Sequence, residues 1–194
     1  MHPRRLRRLP GFSYTGPNRY SLTFCAHERR SLFLNTTLAD CVREQILRAA
    51  CTDGYVVIAY CIMPNHVHLL VEGDEGCAPL AAFARRAKQY AGFHGKRVIG
   101  GPVWQTGYFE RVLRETEDTR TVVAYILDNP VRRGLVENAR DYALSGSGRY
   151  GMSDLMDIVQ VCPTHPENAR PEGRAYEPNT ESIAALKAWK DWAP

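Results

Sequence analysis

The sequence predicts an α+β fold, a ferredoxin-like sandwich with a four-stranded antiparallel sheet and helices on one face, in a single domain with extra C-terminal helices and a tail. Three observations predict it. Two apolar runs of strand length, 55–62 and 67–72, are parted only by the turn Met63, Pro64, Asn65. Segments of helical periodicity lie before and after that pair, and a further strand-like segment opens and closes the series. The order β, α, β, β, α, β closes most simply as one sheet with both helices packed on one side.

In order along the chain, residues 1–19 are basic and rich in Pro and Gly, and read as an arm that becomes ordered only against something else. Residues 20–26 alternate Leu22 and Phe24 with Ser21, Thr23 and Cys25, a strand with two unlike faces. Asn35, Thr36 and Thr37 can cap a helix in which Leu38, Val42, Gln45, Ile46 and Ala49 share a face up to a stop at Asp53 and Gly54. The hairpin follows. After it, Pro79 suits the first turn of a second helix, whose buried stripe is Leu80, Phe83, Ala84, Ala87 and Ala91, before the glycines at 92 and 95. A fourth strand is expected at 109–114 and a third helix at 119–127, ended by Asn129 and Pro130. The domain is expected to span 20–155, and 156–194 to form a C-terminal tail.

Length and composition limit the function classes. The 194 residues, 44% hydrophobic and 24% charged, suit one globular core. No apolar run approaches the ~20 residues of a bilayer span. The arginines near the start are followed by Pro10, Gly11 and Gly16 rather than by an apolar stretch, so no export signal is read. Six cysteines at wide spacing form no CxxC pair and are read as reduced thiols, which together places the protein in the cytoplasm. Charge is uneven: residues 1–150 hold 21 bases and 14 acids, the remainder 4 and 7. No acid lies between Glu75 and Glu110, a stretch containing Arg85, Arg86, Lys88, Lys96 and Arg97, which favours a polyanionic partner over a small apolar ligand.

Chemistry enters at His66 and His68. Alternate strand residues share a face, so the two imidazoles project together, away from Val67, Leu69 and Val71, and can hold one divalent ion on the open face of the sheet. Such a pair needs further ligands. On the second helix Tyr90 and His94, four residues apart, emerge on one face and can present a hydroxyl and an imidazole together. Glu72 and His27 are weaker candidates. The plain alternatives remain: two half-buried strand histidines, a helix-edge tyrosine, and a histidine meeting the helix dipole.

The run Tyr60-Cys61-Ile62-Met63-Pro64-Asn65-His66-Val67-His68-Leu69-Leu70 resembles the signature of the REP-associated tyrosine transposases, within the single-tyrosine HUH, IS200-like group. The resemblance extends through Lys88-Gln89-Tyr90, Val103-Trp104-Gln105, 108–114 and 125–136, and covers roughly residues 10 to 155. It implies a metal-dependent single-strand DNA endonuclease and strand transferase acting on repetitive, hairpin-forming DNA through a 5′-phosphotyrosine. On it, His66 and His68 match the two metal-ligand histidines and Tyr90 the nucleophile. In relatives a polar amide commonly follows the tyrosine by four positions; counted from Tyr90, His94 stands there. The implied cofactor is Mg²⁺ or Mn²⁺, and the partner single-stranded or hairpin DNA. Arg85, Arg86, Lys88, Lys96 and Arg97 are expected on its backbone, Trp104 or Tyr108 stacked on its bases, and Arg4, Arg5, Arg7 and Arg8 in a groove of the stem. Relatives act either as monomers or as homodimers that exchange helices, and both arrangements stay open. The rival readings are a domesticated hairpin-binding protein that no longer cuts, and a metallohydrolase of small molecules.

Overall fold

The computed structural model of the protein describes residues 11–114 and 118–160. The expected arginines at 4, 5, 7 and 8, and most of the expected tail, lie outside the described residues. The elements are β1 (Arg19–Cys25), α1 (Thr36–Asp53), β2 (Tyr55–Met63), β3 (His66–Gly73), α2 (Leu80–Ile99), β4 (Phe109–Val112), α3 (Thr119–Arg132), β5 (Ser145–Gly146) and α4 (Met152–Gln160). The sheet order is β4-β1-β3-β2-β5, and every pairing is antiparallel. The ferredoxin-like sandwich stands as expected, with a fifth, two-residue strand added on the β2 edge.

Alternation along the strands divides the sheet into two faces. Leu22, Phe24, Tyr60, Ile62, Val67, Leu69 and Val71 face α1 and α2 and build the larger core with Leu38, Val42, Ile46, Phe83, Ala84, Ala87 and Ala91. Fully burying each large apolar side chain contributes about 1.5–3 kcal/mol, so this face carries most of the folding drive. Ile58, Ala59, Cys61, Met63 and Leu70 face the other way. A bulge between Val57 and Ala59 lets Ile58 and Ala59 join that second face together.

The second face is not free. Val122, Val123, Ile126 and Leu127 of α3 and Leu155, Met156 and Val159 of α4 pack on it. α1 and α2 share one face as expected, and the expectation of an open second face is corrected: Ile58, Met63 and Leu70 are apolar residues for which water is a poor neighbour, and the extra helices cover them. α4 also continues past residue 155, where the domain was expected to end. At the other end, the expected arm is docked from residue 12 onward. Phe12 and Tyr14 pack against the larger core, Tyr14 stacks on Tyr20 at 6.1 Å, and Leu80 N–H donates to Tyr14 O at 3.0 Å.

Two helix ends differ from expectation. α2 runs through Gly92 and Gly95 to Ile99 and closes at Gly100, where φ is +71°. Gly95 serves packing: a Cβ there would lie 2.8 Å from both Leu38 Cδ1 and Val103 Cγ2. α3 runs three residues beyond Asn129. Pro130 lacks the N–H that would bond Ile126 O, and Asn129 Nδ2 instead donates to Tyr125 O at 2.8 Å and reaches Ile126 O at 3.5 Å. The cap of α1 is as expected, with Leu38 N–H donating to Asn35 Oδ1 at 3.0 Å and Gly54 left-handed at the far end.

Candidate functional site

The hairpin presents His66 and His68 on the α3 face, the side away from Val67 and Leu69. Their Nε2 atoms lie 2.9 Å apart. Two ligands of one ion at metal–nitrogen distances of about 2.0–2.1 Å can stand that close. The nitrogens facing away are each anchored. Asn65 Oδ1 lies 2.6 Å from His66 Nδ1, and a carboxamide oxygen only accepts, so His66 carries its proton on Nδ1 and offers a lone pair at Nε2. Thr23 Oγ1 lies 3.1 Å from His68 Nδ1. When that hydroxyl accepts, His68 Nε2 also offers a lone pair, and two lone pairs then converge on one point.

Electrostatics keeps the pair neutral. Burial, with Arg133 and Arg29 beyond it, pushes the His66 pKa down to about 4. Burial, with His66, Arg132 and Arg133, holds His68 well below the usual imidazole range. Neutral imidazoles with paired lone pairs fit a divalent cation. Among the described residues no group of three or more His, Cys, Asp or Glu converges.

The tyrosine brought to this pair is Tyr125, from α3. Its ring centroid lies 6.4 Å from that of His68, and the Arg132 guanidinium lies 4.7 Å from its own centroid. Burial raises the Tyr125 pKa, while a hydrogen bond and the charge of Arg132, and the charge of Arg133, oppose the rise. One turn on, Asn129 is buried beside it, its Nδ2 held by the Tyr125 carbonyl, which leaves Oδ1 as its acceptor.

The structure does not bring Tyr90 or His94 to the histidines. α2 lies across the sheet, and Tyr90 packs on the larger core, under Arg48 at 5.3 Å and bonded to Arg86, in a groove of about 330 Å³ that Arg85 and Gln89 also line. His94 meets Phe93 at 5.3 Å on the same helix. Of the expected DNA contacts, Arg86 pairs with buried Asp53 at 2.9 Å, and Lys88 donates to the carbonyls of Gln105 (2.7 Å) and Gly107. Trp104 packs on Phe24 and Phe33 at 5.9 and 5.4 Å, as a core aromatic rather than a stacking platform. Arg85, Lys96 and Arg97 are exposed, on α2. Tyr108 packs edge-on to Phe24 at 6.0 Å.

Sequence reasoning therefore did not foresee Tyr125 beside His68, with Arg132 on its ring and Asn129 bonded to its carbonyl. A signal for Tyr125 and Asn129 was present: an amide four residues after a tyrosine occurs in Tyr125-Ile126-Leu127-Asp128-Asn129, within a segment already noted for its resemblance.

A ferredoxin-like sheet bearing paired histidines under a helix-borne tyrosine defines a class of histidine–tyrosine centres. The chain belongs to the IS200-like transposase family, whose description matches residues 17–129, a span ending at Asn129. It is 31% identical over 120 residues to the REP-associated tyrosine transposase of Escherichia coli K12, covering 60% of this chain and 68% of that protein. To the putative REP-associated tyrosine transposase of Haemophilus influenzae Rd it is 29% identical over 107 residues, 49% of this chain and 60% of that one. Among solved structures it resembles a REP-associated tyrosine transposase bound to a REP hairpin, with TM-score 0.61 and 26% identity over 73% of this chain and 81% of that one. No helix among the described residues is long and apolar enough to cross a membrane.

Proposed function

We propose that the protein is a DNA strand transferase that cuts and rejoins single strands beside hairpins, with Tyr125 as nucleophile. The observation that carries this is the placement of Tyr125 over His68, on the face where the two Nε2 atoms converge. His66 and His68, with Asn129 Oδ1 as a third donor, would hold a divalent ion, Mn²⁺ or Mg²⁺. When bound, that ion supplies charge neutralisation and polarisation of a phosphodiester. Asn129 restores the amide expected four residues after the tyrosine, a place His94 fills only when the count starts at Tyr90.

The remaining work falls to the chain itself. The Tyr125 oxygen attacks the scissile phosphorus; the bond to the 3′ oxygen breaks, and that oxygen leaves as a hydroxyl once protonated. The protein then carries a 5′-phosphotyrosine, and attack by another 3′-hydroxyl reverses the exchange and joins strands. Arg132 beside the Tyr125 ring is placed to favour the anionic phenol and to meet the phosphate charge. Tyr125 stands beside the histidines of its own chain, which supports a site built within one protomer. Hairpin DNA as partner rests on the family and on the relative seen with a REP hairpin.

The test is a 3′-end-labelled single strand carrying a REP hairpin, incubated with Mn²⁺ and resolved on a denaturing protein gel. Wild type and Tyr90→Phe are expected to give a labelled covalent adduct, and Tyr125→Phe none. An adduct that survives Tyr125→Phe, or disappears with Tyr90→Phe, overturns the assignment. Hairpin binding by wild type with no adduct would favour the non-cleaving rival.

A further inference from the structure

Between β1 and α1 the chain passes through a turn in which two consecutive residues hold positive φ, 52° at Glu28 and 53° at Arg29. Among the described residues these are the positive-φ positions not occupied by glycine. A left-handed backbone crowds Cβ against the next carbonyl, so stability alone would favour Gly or Asn at both places. The turn is nonetheless pinned. Arg29 N–H donates to Ala26 O at 3.0 Å, His27 N–H to Val103 O at 2.8 Å, and Ala26 N–H to Asn65 O at 2.9 Å.

That last bond ties the turn to the residue directly before His66, and Cys25, which ends β1, is the cross-strand partner of His66. The strained turn thus stands at the rim of the histidine pair. Its Arg29 is one of the charges felt by His66, together with Arg133, while Arg132 flanks Tyr125 from α3. The turn that carries Arg29 and the end of α3 that carries Arg132 and Arg133 thus flank the histidine pair from two separate elements. Backbone strain persists where the side chain it displays is used.

We propose that Arg29 is a phosphate-binding residue of the DNA site, displayed by the strained turn so that, with Arg132 and Arg133, it holds the backbone of a single strand across the histidine pair. This rests on the reading of that pair as a strand-cutting centre. A guanidinium fork matches two phosphate oxygens, and such a contact sets register without reading bases. The site therefore takes the sugar–phosphate backbone from the β1 side as well as from α3.

The test uses the full chain, a fluorescein-labelled thymidine homo-oligomer in EDTA as a sequence-independent probe, and three variants. Arg29→Gly and Glu28→Gly both relieve a left-handed residue, so each should melt at the wild-type temperature or higher. Arg29→Gly should lower affinity roughly 5-fold at about 0.1 M salt and flatten the log–log salt slope by about 0.7, the value for one single-strand phosphate contact. Glu28→Gly and Arg29→Lys should keep the wild-type slope. Unchanged affinity and slope in Arg29→Gly, or a flattened slope in Arg29→Lys, overturns the proposal. A lowered melting temperature in Arg29→Gly overturns it too, by making the arginine a structural support of the turn. Failure here is separable from failure of the strand-cutting reading, since the Tyr125 adduct is scored independently on the hairpin strand.

Discussion

Thr23→Val isolates what the hydroxyl beside His68 does. Thr23 and His68 are 2% and 5% exposed, and valine nearly preserves threonine's shape, so the change amounts to loss of one buried hydrogen bond of 3.1 Å. The two states of the site respond differently. Without metal, the His68 proton can sit on Nε2 and donate to His66 Nε2 at 2.9 Å, so only a lone pair at Nδ1 loses the partner that Thr23 supplies. With metal, Nε2 must give its lone pair, which forces the proton onto Nδ1, now facing a methyl group. Losing the acceptor for a buried donor costs about 1–3 kcal/mol. That corresponds to roughly 5- to 150-fold in affinity, which brackets the ~10–100-fold usual for outer partners of metal-bound histidines. The assay is calorimetric titration of EDTA-stripped protein with MnCl₂, with Thr23→Ser as the variant that restores the hydroxyl. The expected result is a weakened Thr23→Val and a near-wild-type Thr23→Ser. Equal Mn²⁺ affinity in wild type and Thr23→Val, or an equal loss in the serine variant, would refute the tautomer reasoning.

Two further perturbations test residues first expected on DNA. Arg86→Met leaves the Asp53 carboxylate, 3% exposed, without the guanidinium at 2.9 Å, so it should lower the melting temperature more than Asp53→Asn does, while leaving Tyr125 adduct formation intact. Loss of the adduct with full stability would return Arg86 to the DNA site. Burial pushes the Lys88 pKa down to about 8, against about 10.4 when unfolded, so between those values the unfolded chain binds a proton that the folded one does not, and stability rises with pH. Urea midpoints at about pH 7.5 and about pH 9.5 should therefore show wild type gaining on Lys88→Met. A pH-independent difference would mean that the carbonyls of Gln105 and Gly107 keep the ammonium charged.

Most of the sheet was legible because period-two alternation and turn chemistry act locally. Val67, Leu69 and Val71 declare one face and His66 and His68 the other without any knowledge of the partner strands. The caps of α1 at Asn35 and Gly54 are local too. What escaped was long-range. β5 is two residues, too short to carry a pattern, and Gly95 reads as a helix stop until Leu38 and Val103 are seen pressing on it.

The misplaced tyrosine is different in kind, since the constraint that excludes it was available from residues alone. If alternation turns the histidines away from the helix-covered face, and Leu80, Phe83, Ala84, Ala87 and Ala91 seat α2 on that face, then a side chain of α2 is separated from the histidines by the thickness of the sheet. Only a helix crossing the other side can bring a phenol to them. The apolar residues Ile58, Met63 and Leu70 on that other side already required such a helix, and the next helical segment after the fourth strand holds Tyr125 with Asn129 one turn on. The same logic separates the charges: the acid-free basic stretch belongs to α2 and so to the far face, whereas the arginines whose charge lowers the histidine pKa values come from two parts of the sequence, at 29 and at 132 and 133. Net charge along the chain could not find them, because the sheet, not the sequence, brings them together.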